Sequence, residues 1–406
     1  MTVLYNIGIL IVSAFINLGS LFSSKLKKLK EGRSRVWKEI ADSNIRESTI
    51  WVHAASLGEF EQGRPLIEAI KKRFPERKIV LTFFSPSGYE IRKDYELADY
   101  VFYLPADTRR NAQRFIKAVR PEMAFFIKYE FWHHFLTQLK KREIPVYGVS
   151  VIFRESQPFF KWYGGWFRRM LNSFEHFYLQ DETSAKLLES ISLKNYSVAG
   201  DTRFDRVKEI ADEAEDIDIA NKFSKGYNTI VAGSSWSADE KILTKYVNES
   251  PDGVKLIIAP HEIDDTHIRE IESSLKASSF RITKPPENLS EYKVMIVDTM
   301  GMLAAIYRYG QVAYIGGGFG SGIHNVLEAA TYGIPVIYGP KYKKYKEACD
   351  LVELGGGFEI NSYEKVERVI SKMWDDVDFL KSSGMSAEKY VNRMCGATLL
   401  ITKELF

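Results

Sequence analysis

Ile50-Trp51-Val52-His53-Ala54-Ala55-Ser56-Leu57-Gly58-Glu59-Phe60 reads as an apolar strand running into a small-residue turn and then a helix, the opening of a βαβ unit. The same pattern spreads outward from it. Further candidate strands fall at 78–82, 100–103, 123–127 and 146–150, with helical stretches over Gln62 to Phe74 and Arg109 to Val119. Short, continuously apolar strands separated by helices belong to a parallel sheet covered on both faces. The second half repeats the pattern at 229–233, 255–259, 294–297, 312–315 and 335–338. Between the halves, the acidic stretch Asp212 to Asp218 suits an exposed boundary. The expectation is two tandem α/β domains with a cleft between them. The divisions are a membrane anchor and basic flank over 1–30, a Rossmann-like domain over 31–210, an interdomain segment over 211–225, a second Rossmann-like domain over 226–385, and a C-terminal helix over 386–406 that packs back on the first domain.

Composition supports this and narrows the function. At 406 residues the chain exceeds one ordinary core. With 45% hydrophobic and 27% charged residues it is globular. A near balance of 56 basic against 53 acidic residues leaves no basic footprint for nucleic acid. Cys349 and Cys395 are the only cysteines, too few for a disulfide framework, and neither has a CxxC partner.

The N-terminus differs from the rest. Val3 to Phe22 is apolar over about the length that crosses a bilayer, roughly 20 residues, though Asn6, Ser13, Asn17 and Ser20 weaken it. Lys25, Lys27, Lys28 and Lys30 follow, a cluster that belongs on the cytoplasmic side against anionic lipid. Basic residues after rather than before the apolar run argue against a cleaved signal peptide. The helix either spans the membrane or lies in its interface.

In a doubly wound sheet the loops at the carboxyl ends of strands line the ligand crevice. Glu59 stands in such a loop, with Gly58 for close backbone approach and Ser56 at the helix start. Glu130, between aromatics in Lys128-Tyr129-Glu130-Phe131-Trp132, stands in another. Each has a plainer reading, Glu59 as a partner of the helix dipole and Glu130 as one half of a salt bridge. His133 and His134 are adjacent and point apart on a helix, and no His, Cys, Asp and Glu cluster has zinc spacing.

In the second half, Gly316-Gly317-Gly318-Phe319-Gly320-Ser321-Gly322 precedes a helix expected to begin near Asn325, an arrangement that presents N–H groups to a phosphate. It is neither a Walker loop nor a first-unit dinucleotide fingerprint, which excludes the usual nicotinamide reductase. Glu328, three residues after Asn325, shares its helix face and suits ribose hydroxyls. Ser234-Ser235, Pro260-His261 and Met300-Gly301 occupy the remaining strand-end loops of this half.

Taken in order, His53-Ala54-Ala55-Ser56-Leu57-Gly58-Glu59, Leu81 to Gly88, Glu130-Phe131-Trp132, Gly200-Asp201-Thr202-Arg203-Phe204-Asp205, and His324-Asn325-Val326-Leu327-Glu328-Ala329-Ala330 with Gly333-Ile334-Pro335-Val336 resemble the 3-deoxy-D-manno-octulosonic acid (Kdo) transferases over essentially the whole chain. The resemblance implies a GT-B fold, two Rossmann-like domains facing a central cleft with an N-terminal membrane-anchor helix. It implies CMP-Kdo as donor and co-substrate, no cofactor, a lipid A precursor (lipid IVA) as acceptor, and an inverting, metal-independent reaction at the cytoplasmic face of the bacterial inner membrane. Glu59 then matches the general base and Glu130 a second functional acid. Gly316, Gly317, Gly318, Asn325 and Glu328 match the nucleotide-binding region, and Ser56, Gly58, Ser85, Ser87 and Gly88 fall on the acceptor side. Membrane lipids would be met through the N-terminal helix.

Three positions depart from the family pattern. Lys128 replaces an acid, Pro260-His261-Glu262 lacks the arginine of a Pro-Arg-His stretch, and Val326-Leu327-Glu328-Ala329 replaces Pro-Leu-Glu-Pro. These touch donor contacts more than Glu59, so a UDP- or GDP-sugar transferase acting on a membrane-associated acceptor is the nearest alternative. A membrane-bound adaptor without transfer activity is the alternative from another class.

Overall fold

A computed structural model describes residues 1–406, which divide into two compact units. Unit 1 comprises Met1–Arg206 with Gly396–Phe406, and unit 2 comprises Val207–Cys395.

Unit 1 is a seven-stranded sheet in the order β3-β2-β1-β4-β5-β6-β7. Its strands are β1 (Thr49–Ala54), β2 (Lys78–Phe83), β3 (Tyr100–Tyr103), β4 (Pro121–Ile127), β5 (Val146–Val151), β6 (His176–Leu179) and β7 (Tyr196–Val198). Every pairing is parallel, which the crossover helices require. β1 is buried at all six positions, as a strand covered by helices on both faces must be. The chain order reverses between β1 and β4, so the crevice beyond their carboxyl ends is the ligand position of this fold type.

The helices used below are α1 (Thr2–Gly19), α2 (Ser24–Asp42), α3 (Leu57–Arg73), α4 (Pro86–Arg92), α5 (Arg109–Val119) and α6 (His133–Lys141). α3 starts at Leu57, five residues before the expected Gln62, because Phe60 is pulled fully into the core beneath it. The chain returns to unit 1 at its end, where the helix Ala397–Leu405 buries Ile401 among the residues that α3 and β1 also cover. Asp205 fixes that return by accepting from the backbone N–H of Gly396 (2.5 Å) and of Thr398 (2.8 Å).

α1 is long and apolar enough to cross a membrane, yet it is sewn to unit 1 along one side. The Tyr5 hydroxyl donates to buried Asp107 (2.5 Å), Asn6 pairs with His134 (2.6 Å), and the Trp166 indole N–H donates to Thr2 (3.2 Å). Further along, Ile16 packs with Leu29 and Tyr103. The other side, including Leu4, Leu10, Ile11, Phe15 and Leu18, is exposed.

Unit 2 is a second seven-stranded parallel sheet, ordered β10-β11-β9-β8-β12-β13-β14. Its strands are β8 (Asn228–Ser235), β9 (Val254–Pro260), β10 (Ser279–Arg281), β11 (Val294–Ile296), β12 (Val312–Ile315), β13 (Val336–Tyr338) and β14 (Gly357–Glu359). Here the order reverses between β8 and β12.

Candidate active site

Both acids of unit 1 stand at its reversal point, Glu59 after β1 and Glu130 after β4. Glu59 lies in the first turn of α3 and accepts a hydrogen bond from the Ser56 hydroxyl (2.8 Å). Ser56 occupies the N-cap position without accepting a backbone N–H, so its oxygen serves Glu59 rather than the helix. A Cβ added to Gly58, the residue before Glu59, would meet nothing within 4 Å, so the space over this glycine is open. Burial first, and then the charge of Glu130, push the Glu59 carboxyl above the ordinary glutamate range, against the opposing pull of Ser56, Lys128 and His53. A carboxyl raised in this way is a better proton acceptor near neutral pH than an exposed glutamate.

Glu130 is held from behind by a chain of buried groups. The Trp51 indole N–H donates to the Thr82 hydroxyl oxygen (2.8 Å), and that hydroxyl lies 2.9 Å from His53 Nδ1. His53 Nδ1 also lies 3.1 Å from the Thr82 carbonyl oxygen, while Nε2 lies 3.1 Å from the Trp132 indole nitrogen and faces Glu130 Oε2 at 3.2 Å. The Trp132 indole N–H also donates to that oxygen (2.7 Å). Trp51, His53 and Thr82 are all fully buried, so Glu130 is aimed by a rigid core rather than by a loop. The sequence displayed His53 and Trp132 inside its motifs, but their partnership depends on the pairing of β1 with β2 and β4 and no spacing announces it.

Ser85 and Ser87 open α4, the Ser85 hydroxyl accepting from the Ser87 N–H (3.3 Å), with Ser85 half-buried and Ser87 exposed. Gly88 lies against Phe83, where an added Cβ would sit 2.2 Å from the ring.

The Gly200 to Asp205 motif is structural. Asp201 is buried and accepts from Gln62 (3.0 Å), from the Arg203 backbone N–H (3.0 Å) and from the Arg203 guanidinium (2.9 Å). Thr202 donates to the Gln62 carbonyl (2.5 Å), tying the segment to α3.

In unit 2 the expected donor loops surround the reversal between β8 and β12. Ser234 sits at φ +52 beside a bulge, and Ser235 turns inward to donate to buried Glu240 (3.0 Å). His261, next after Pro260, packs against the rings of both Trp236 (4.5 Å) and His324 (4.7 Å). The Trp236 indole N–H donates to His324 Nε2 (3.0 Å). Met300 is exposed, and Gly301 takes φ +87.

The glycine run differs from the expected cradle. The Gly316 N–H is spent on the Gly233 carbonyl (2.9 Å) and the Gly317 N–H on Asp239 (2.9 Å), while Gly320 and Gly322 close back on the Gly317 carbonyl. A Cβ at Gly316 would lie 2.1 Å from the Ser234 carbonyl oxygen, and one at Gly318 2.5 Å from the Gly339 nitrogen. The run therefore packs three loops together, and Gly318 and Phe319 keep N–H groups without a partner in the chain. Gly318→Ala should cost about 1–3 kcal/mol by overpacking, read as a lower Tm. The helix expected to begin near Asn325 is a single turn, Leu327–Ala330, because Asn325 accepts from the Leu327 N–H (3.1 Å) and donates to Glu328 (3.0 Å), ordering the segment by side chains.

Residues 27–206, most of unit 1, match a family described as 3-deoxy-D-manno-octulosonic-acid transferase (kdotransferase). Proteins named 3-deoxy-D-manno-octulosonic acid transferase include one from Aquifex aeolicus, 28% identical over 78% of this chain and 83% of its own. Another, from Rickettsia bellii, is 24% identical over 90% of each chain. The chain is a homologue of the Kdo transferases. As a Kdo-transferase homologue it is an enzyme of the glycosyltransferase class. Among solved structures, UDP-GlcNAc 2-epimerase from Neisseria meningitidis superimposes with a TM-score of 0.58 over 87% of this homologue and 100% of that chain, at 13% identity. That likeness is of fold alone, and the fold is GT-B.

Proposed function

We propose that the chain transfers Kdo from CMP-Kdo to a lipid A precursor with inversion, unit 1 supplying the acceptor contacts and the base, unit 2 the donor contacts. The observation that carries this reading is Glu59, its carboxyl raised by burial and by Glu130, beside open space over Gly58 at the reversal point of its sheet. Glu59 takes the proton of the acceptor hydroxyl as that oxygen bonds to the anomeric carbon of Kdo. The bond from that carbon to the CMP phosphate breaks on the opposite side, and CMP departs with the electron pair. Within unit 2, the Gly318 and Phe319 N–H groups meet the developing phosphate charge, and the ring cluster of Trp236, His261 and His324 serves the nucleoside.

The test is mass analysis of the product formed from CMP-Kdo and a lipid A precursor, with UDP- and GDP-sugars in parallel. An acceptor that gains the mass of one or more Kdo residues with CMP-Kdo supports the reading. Unchanged acceptor mass with CMP-Kdo, or gain only with a UDP- or GDP-sugar, refutes it.

The same reading places the enzyme on the cytoplasmic face of the inner membrane, with α1 lying in the lipid interface. The contacts of Thr2, Tyr5, Asn6 and Ile16 along one side favour a helix that stays against its unit and turns its apolar side to lipid. Trp162, 94% exposed, adds an aromatic suited to headgroup depth. The double substitution Leu10→Asp with Ile11→Asp should move the protein from the membrane pellet to the supernatant, with transfer to a detergent-solubilised acceptor retained.

A further inference from the structure

α2 crosses the carboxyl end of β3 so closely that a Cβ on Gly32 would sit 2.1 Å from the Tyr103 ring. That approach delivers the next residue, Arg33, over Phe84, with its guanidinium carbon 4.4 Å from the ring centroid. Phe84 stacks on Trp132 (5.0 Å, 21°), and Trp132 donates to Glu130. Arg33 therefore ends one continuous stack whose other end is the Glu130 and Glu59 pair.

The guanidinium has no counter-charge. Its Nε and Nη2 are buried without a hydrogen-bond partner, whereas three other part-buried arginines of this unit are paired with carboxylates, Arg64 with Glu68 (2.8 Å), Arg92 with Glu61 (3.0 Å) and Arg203 with Asp201 (2.8 Å). Desolvation pushes the Arg33 pKa down to about 10, opposed only by Tyr103, whose hydroxyl is committed to Glu90 (3.0 Å). An unpaired, desolvated cation is costly to a fold, and Nη1, the guanidinium nitrogen outside the buried pair, is left to meet a tetrahedral oxyanion.

We propose that Arg33 binds a phosphate carried by the acceptor, a specificity contact that rests on the glycosyltransferase reading above. Bulk lipid headgroups are the other source of phosphate. They meet Lys25, Lys27 and Lys28, which are exposed on α2, while Arg33 turns inward over Phe84, the residue before Ser85.

The full-length protein with Arg33→Met is compared with wild type on a lipid A precursor bearing phosphate and on the same precursor after phosphatase treatment. Loss of a charge-assisted contact raises KM for the phosphorylated acceptor by about tenfold or more, with kcat little changed. KM for the dephosphorylated acceptor is the same in both proteins. Arg33→Lys, which keeps the charge, recovers part of the affinity and keeps the comparison open if Arg33→Met does not fold. Cosedimentation with phosphatidylglycerol vesicles is unchanged. Equal losses on both acceptors, unaltered KM on either, or loss of vesicle binding in place of the KM split overturns the assignment. If wild type transfers no sugar to either acceptor, the catalytic reading fails instead. Binding of the two precursors in detergent micelles without donor then decides Arg33, and equal binding of both by wild type refutes it.

Discussion

Glu59→Gln should lower kcat by about 10²–10⁴-fold, the contribution of a positioned general base, with CMP binding and the fold intact. Glutamine keeps the size of the side chain and the hydrogen bond with Ser56, so the variant removes the proton acceptor alone. Its stability should move in the opposite sense to its activity. The folded-state pKa of Glu59 is raised, so ionising it strains the native state, and that stability is lost as pH rises through the raised value. Above that pH Glu59→Gln should melt higher than wild type, and below the ordinary glutamate pKa of about 4.3 the two should melt together. Undiminished turnover in the variant, measured at saturating donor and acceptor, removes Glu59 from the mechanism. A Tm that drops at every pH shows that the side chain is structural.

The second large effect is on stability. Asp201→Ala leaves the Gln62 amide and the Arg203 backbone N–H without their acceptor inside the protein, and separates Arg203 from its carboxylate. The cost should be about 3 kcal/mol, less than for a fully enclosed pair because the Arg203 side chain is 30% exposed. In a unit of this size that lowers Tm by roughly 6–12 °C. Burial alone would raise the Asp201 pKa, but Arg203 and the hydrogen bonds outweigh it and hold the carboxyl below its usual range. Its contribution is therefore present above the unfolded pKa, about 3.9, and fades as pH falls through the lower folded value. The Tm difference from wild type should narrow in acid. A constant difference down to the lowest folded pH would show that packing, not charge, is what Asp201 supplies.

These two residues also mark what the sequence made legible. Ten strands could be read because each is a buried apolar run closed by a turn, as in Ile50 to His53 and Thr229 to Gly233. β7, β10 and β14 were not foreseen, since each has three residues and lies at a sheet edge, too short to show a period. β6, His-Phe-Tyr-Leu, carries a polar first residue and only four positions. The positions of Glu59 and Glu130 at strand ends were readable from local pattern. The support of Glu130 was not, because it passes through His53 and Thr82 on adjacent strands. The glycine run looked like an anion cradle because glycine permits both exposed amides and close backbone contact. Only the register of β8 against β12 shows Gly316 pressed on Ser234. Arg33 was silent in the sequence, since nothing in Gly32-Arg33-Ser34 signals a cation without a partner.

Unit 1 is built from segments on either side of unit 2 in the sequence. During synthesis the ribosome therefore delivers all of Val207–Cys395 before it releases the helix Ala397–Leu405, which covers the α3 side of the first sheet and holds Phe406 against Phe74 (5.4 Å). The first half to be translated is the last to be finished, and until then the apolar surface awaiting Ile401 stays uncovered in the nascent chain. Truncation of the final ten or so residues should accordingly be felt at the opposite end of the gene product, in the unit that bears Glu59.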